Sequence, residues 1–309
     1  MIGRVNTGGG GTGGTLTVTA PADVTVTVSK DGKTKTKNSG TTGVVVFKGL
    51  ASGTWTVTIT GDGKTAQKNV VITTDYSTAI SFNTIPEFTY TGDYEIVNDS
   101  DEPITVSQGN WKIRFLTSGT LTFTNLNGAE GGIDVFLVGG GGDGGTRNWN
   151  PDSSVYQHGA GGGGGYTKTQ KNIPVVVGTE YSITIGSNTG TTKAFNLSAS
   201  GGANAYGEAR GWENGGSGGS GGGATSKSGG TNGGNGIAHE FATGGTGQGT
   251  TTKEFGEENG RLYASGGNGN KTEPTAPNSG NGADGRTTND TSTSKNPGAS
   301  GIVVIRNKR

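Results

Sequence analysis

The chain has no cysteine, which excludes disulfides and thiolate metal sites. Methionine occurs only at the start, and the two histidines, His158 and His239, lie in loop-like segments with no carboxylate partner evident in sequence. Only 28% of the 309 residues are hydrophobic, too few for one large conventional core. No apolar run is long enough to span a bilayer, so membrane insertion is not expected. The N-terminus, MIGRVNTGGGG, lacks the apolar core of a signal peptide. Lysine plus arginine and aspartate plus glutamate both number 24, giving zero formal net charge. A neutral chain lacks the basic excess that supplies most affinity for nucleic acid, which is therefore not an expected partner. Helical periodicity of useful length is absent, and the expected fold class is all-β.

What the chain has in excess is glycine, 65 residues, against a usual share of about 7%. Residues 1–14 read as a glycine-rich leader or attachment segment. Residues 15–83 read as a small β-sandwich. Val24, Val26 and Val28 alternate with threonine, Asp31-Gly32 is a hairpin dipeptide, and Trp55, Val57 and Ile59 alternate again. Trp55 is expected to anchor the core of this domain. Residues 84–132 read as a linker and strand segment leading onward. The run IDVFLV (133–138) has the character of a strand buried on both faces.

From 133 to 309 the sequence is a glycine-rich domain, with glycine clusters separated by short strands such as YSITIG and FNLSAS and closed by GIVVIR. A flexible linker has no reason to carry these aliphatic strands or its recurring aromatics. Ordering each glycine costs roughly 0.5–1 kcal/mol more than ordering alanine, so an ordered glycine domain needs a compensating interaction. Extended helices of about three residues per turn, packed side by side and bonded between backbones, supply one. Polyglycine-II-like segments are the expected element.

The motifs IDVFLVGGGGDGG, GAGGGGGYT, YSITIG and GASGIVVIR resemble the glycine-rich domains of phage and prophage tail proteins, and the leader resembles the start of such proteins. Residues 46–60 and 79–82 resemble immunoglobulin-like and carboxypeptidase-regulatory-like β-domains. The resemblance implies a virion tail protein, made in the bacterial cytoplasm, that attaches to other tail or baseplate proteins through its N-terminal region. Its C-terminal domain would bind a host-surface glycan or protein without catalysis. Proteins of this kind commonly assemble as homotrimers, which the sequence neither shows nor forbids. The alternatives are a capsid or tail decoration protein without a receptor, and a tail-associated cell-envelope hydrolase.

Chemistry-bearing motifs are sparse. Gly139, Gly141 and Gly144 match a dinucleotide-binding spacing, but no helix follows to receive a pyrophosphate. The aspartate and glycine runs lack the nine-residue period of calcium-binding repeats, so neither metal nor cofactor is expected. No serine sits in a nucleophile-elbow motif. Carboxylates such as Asp152, Glu208, Glu213, Glu240, Glu257 and Glu258 read by default as solvated surface charge. The inserts between glycine clusters carry the composition of binding loops: Arg147, Trp149, Tyr156 and His158; then Tyr206, Arg210 and Trp212; then His239 and Phe241. The opposing reading of these aromatics is that they plug small satellite cores.

Overall fold

A computed structural model describes residues 13–61, 64–82, 85–104, 110–126, 129, 131–147, 159–207, 212–269, 275–287 and 296–309. The fold is all-β and divides into two compact units, residues 1–85 with 106–110, and residues 86–105 with 111–309.

The first unit contains β1 (Gly14–Thr19), β2 (Thr25–Lys30), β3 (Lys33–Asn38), β4 (Val44–Leu50), β5 (Gly53–Gly61), β6 (Lys64–Ile72) and β7 (Tyr76–Ala79). These form a three-stranded sheet, β4-β1-β7, and a four-stranded sheet, β3-β2-β5-β6. Alternation decides which side of each strand is buried. Leu16, Val18, Val26, Val28, Phe47, Val57 and Ile59 share one core, while the intervening threonines stay outside. Trp55 is buried in that core, and its indole N–H donates to the Ala51 carbonyl at 2.8 Å. The Asp31-Gly32 turn has positive φ at both residues, 49° and 74°, as a tight two-residue hairpin requires.

The second unit opens with β8 (Glu87–Tyr90), β9 (Tyr94–Val97), β10 (Lys112–Phe115), β11 (Gly119–Asn125) and β12 (Ile133–Val138). It continues with β13 (Thr146–Arg147), β14 (Thr167–Ile173), β15 (Glu180–Ile183), β16 (Thr192–Ala194) and β17 (Leu197–Ala199). The last strands are β18 (Tyr206–Gly207), β19 (Glu213–Asn214), β20 (Arg286–Thr287) and β21 (Ile302–Asn307). A five-stranded sheet, β14-β12-β21-β10-β9, lies against a three-stranded sheet, β15-β11-β8, with Tyr90 and Phe115 rings 4.7 Å apart. Strand β12, the IDVFLV run, is buried along its whole length. On the far side of the larger sheet, Phe136, Val138, Ile302 and Val304 pack on Phe255, Tyr263 and Ala264.

The glycine clusters form a lattice built on the ends of β12, β14 and β21. The segment 159–166 shows its logic. The N–H groups of Gly161 and Gly164 donate to Gly223 and Ser220, those of Gly162 and Gly165 to Ala283 and Gly280, and those of Gly163 and Tyr166 to Ala203 and Ser200. Direction therefore repeats every third residue, as in an extended helix of three residues per turn that has no bonds within itself. The carbonyls of Ala160, Gly163 and Tyr166 repeat likewise, accepting from Gly145, Gly142 and Gly139 at 2.8–3.0 Å. None of Gly159 to Gly165 has positive φ. A Cβ at Gly161 or Gly165 would collide with the carbonyl oxygen of Gly267 or Gly139, so only glycine permits this approach.

Segments alternate in direction. Residues 139–145 lead away from β12, and 159–166 return antiparallel to them and enter β14. At the end remote from the sheet, Arg286 donates to Gly145, Gly159 to Arg286, Ala205 to Asp143, Thr225 to Glu213, Ala224 to Ile237 and Gly269 to Lys227. The chain thus leaves and re-enters the lattice at this far end between 145 and 159, 205 and 213, 224 and 228, 237 and 243, 269 and 275, and 286 and 296.

Candidate functional site

Five of the nine residues proposed from sequence, Arg147, Tyr206, Trp212, His239 and Phe241, are described, and they lie on three of those far-end excursions. Trp149, Tyr156, His158 and Arg210 lie outside the described residues. Arg147 is placed in β13, paired in parallel with Thr287 of β20. Tyr206 stands on the two-residue hairpin β18–β19, opposite Asn214, and is 56% exposed.

The other three come together. Trp212, from the 206–214 excursion, stacks on His239 with centroids 4.2 Å apart and planes 21° from parallel. Phe241 sits 5.3 Å from Trp212 and 6.0 Å from His239. Trp212 and His239 are half-buried, each covering one face of the other, whereas Phe241 is 60% exposed. Ile237, two residues before His239 on the same excursion, is 55% exposed. The cluster packs two of its rings against each other and presents the third, Phe241, to solvent.

The cluster is fastened from below. The backbone N–H and hydroxyl of Thr243 donate to the Asn214 side-chain oxygen at 2.6 and 3.1 Å, tying the two excursions together. His239 and Ala242 exchange backbone bonds at 2.8 and 3.3 Å, which closes the 239–242 turn. Glu213 is a correction to the surface-charge reading. It is 6% exposed, and its carboxylate accepts the Ala160 N–H at 2.9 Å, capping the end of the central segment.

A second constellation was missed at the sequence level. Strand register aligns Lys112, Arg306 and Asp134 in one row across β10, β21 and β12. Arg306 pairs with Asp134 at 3.2 Å and with Glu257 at 2.6 Å, and its guanidinium lies 4.0 Å from the centre of the Phe255 ring. Lys112 bridges Asp101 (2.5 Å) and Glu254 (3.0 Å), while Arg114 contacts Asp101, Glu95 and Glu254. Tyr263 donates to Glu254 at 3.1 Å, and burial raises its phenol well above the ordinary value. Asp101, Glu254 and Glu257 border a cavity of about 390 Å³, and each is held by a cation. None therefore stands ready as a free nucleophile or base, and the arrangement is that of a structural ion network. Its sequence signal was a charge of opposite sign inside each of two apolar strands, IDVFLV and IVVIR, which a buried sheet can accept only as partners.

A family model for a glycine-rich domain matches residues 116–308, which take in the lattice, the far-end cluster and the strands from β11 onward but not β8, β9 or β10. No curated protein matches the chain.

Proposed function

The chain belongs to this glycine-rich domain family, and from that premise we propose that it is a non-catalytic recognition protein of a bacteriophage tail. Its first unit serves attachment to neighbouring tail proteins, and the far end of its glycine lattice faces the host surface. The observation that carries the reading is the ring cluster of Trp212, His239 and Phe241. Two separate excursions contribute to it, its Phe241 ring is exposed, and it stands on a scaffold whose segments are bonded on several sides. Recognition by pre-ordered loops loses little conformational entropy on binding, which favours a lattice-mounted site over a flexible one. Aromatic faces with one open side stack on sugars or on apolar protein surface, consistent with a host glycan or protein as the ligand.

The test is adsorption of particles carrying Trp212→Ala with Phe241→Ala. Truncating a pair of central aromatics that act as one hot spot costs about 2 kcal/mol or more together, since such losses are not additive. Adsorption is expected to fall at least about thirtyfold while particle assembly and the melting temperature stay close to wild type. Wild-type adsorption by correctly assembled mutant particles would remove the cluster from host recognition.

A further inference from the structure

Whole-chain neutrality conceals a local concentration of charge. Residues 25–50 contain five lysines and one aspartate. Three of the lysines, Lys33, Lys35 and Lys37, alternate along β3, an edge strand exposed at every position. The neighbouring edge belongs to β4, at the margin of the other sheet of the same unit. The Lys37 ammonium donates to the Val46 carbonyl at 2.7 Å and the Lys35 ammonium to the Lys48 carbonyl at 2.8 Å. Lys30 reaches the Ser52 carbonyl farther along the same edge. The Lys37 and Lys35 ammonium groups are thereby pinned on alternate carbonyls of an extended strand, about 6.8 Å apart, and Lys30 stands beyond the end of that strand. Every ion pair found among the described residues lies in the second unit, so these cations have no carboxylate partner there. Each ammonium also retains donors beyond the one bond to backbone.

We propose that this lysine row binds an anionic phosphodiester polymer, with successive phosphates seated on successive ammonium groups. Lysine suits phosphate as a point charge, and an extended row at fixed spacing suits a flexible chain better than a rigid duplex. A polymer of polyol phosphates fits better than single-stranded nucleic acid. Binding of the latter relies on exposed rings for base stacking, and none borders the row among the described residues. Phe47 is buried, and the exposed Tyr76 lies on β7 at the opposite edge of its sheet. The same charges discourage strand addition at this edge, a role that needs no ligand.

Binding of end-labelled poly(glycerol phosphate) to the full chain, followed by fluorescence anisotropy, separates the two roles. With three phosphate contacts, log K should fall against log salt with a slope of about 2, or about fifteenfold between roughly 50 and 200 mM. Lys35→Gln with Lys37→Gln should weaken binding at least about tenfold at the lower salt and flatten the slope below about 1. Lys35→Arg with Lys37→Arg should preserve binding, and so should Lys68→Gln, whose ammonium bonds the Ala79 carbonyl elsewhere on the unit. Absence of salt-dependent binding overturns the proposal. So does unchanged binding by the folded glutamine variant, or tighter binding of oligothymidylate than of poly(glycerol phosphate).

Discussion

Gly163→Ala tests the lattice at its centre. Gly163 donates to the Ala203 carbonyl at 2.9 Å and accepts from the Gly142 N–H at 2.8 Å. A Cβ placed on it falls against the carbonyl of Ser217, which itself accepts the Ala203 N–H at 2.7 Å. No flexible side chain can yield there, so backbone must move. Overpacking a rigid site costs about 1–3 kcal/mol. Displacing the segment weakens up to three backbone bonds, each contributing about 1 kcal/mol net. Alanine's smaller unfolded-state entropy offsets about 0.5–1 kcal/mol. The balance is a loss of about 3 kcal/mol, or about 6–12 °C in melting temperature for a unit of this size. Calorimetry of the full chain measures it, with Gly131→Ala as the control. Gly131 is exposed, and the nearest atom to its added Cβ is an aliphatic carbon of Lys308 at 3.5 Å, so that variant should be neutral or slightly stabilised. If Gly163→Ala melts with Gly131→Ala, the segments are not packed backbone to backbone.

Two further predictions concern the ion network. Hydrogen bonding and charge from Arg306 hold the Glu257 carboxyl below its ordinary value. Burial pushes Asp101 upward, but hydrogen bonds from Arg114 and Lys112 outweigh it and leave that carboxyl lowered too. Both folded-state values lie below the unfolded ones, so the stability they contribute is full above about pH 5 and declines as pH falls below about 4. Urea unfolding midpoints across that range should show the decline, and a flat profile would refute it. Arg306→Met leaves Asp134 buried, 0% exposed and without its ion-pair partner, which should cost about 3–5 kcal/mol in chemical denaturation. Adding Asp134→Leu should recover most of that loss, because a buried pair replaced by apolar groups is often neutral.

The strands were readable where side chains report their surroundings. Alternation at Val24, Val26 and Val28, the Asp31-Gly32 turn and the unbroken IDVFLV run each have a side-chain signature, and the structure follows them. The segment FNLSAS departs from expectation. Phe195 and Asn196 form a turn with φ of 50° and 61°, and the strand begins only at Leu197. A bulky residue at that position runs against turn chemistry, and the Phe195 ring is held by Tyr181, 5.1 Å away. The lattice pairing was not legible at all, because glycine carries no side chain to record which neighbour its N–H meets. Trp212 and Phe241 carry the composition expected of binding loops, but their meeting in one cluster has no signature in the sequence. That meeting depends on the direction of each glycine segment between them.

The energetics of the lattice explain why a glycine-rich domain carries so many aliphatic strands. A backbone hydrogen bond contributes about 1 kcal/mol net, and ordering a glycine costs roughly 0.5–1 kcal/mol more than ordering alanine. These terms nearly cancel, so glycine segments bonded only to one another would be marginal. Both ends of the segments are therefore anchored by something else. At the near end Ala264 belongs to the apolar cluster with Phe136, Tyr263, Ile302 and Val304, and segments 139–145 and 296–301 run without interruption into β12 and β21. At the far end the Glu213 carboxylate and the Asn214 amide bond backbone groups of other segments. The two anchors differ in chemistry, and the difference bears on function. Apolar burial at the near end stabilises without regard to what lies beyond the lattice. The polar caps at the far end fix where Trp212, His239 and Phe241 stand while leaving their outer faces uncommitted, so the excursions between the caps can change composition without disturbing the segments beneath.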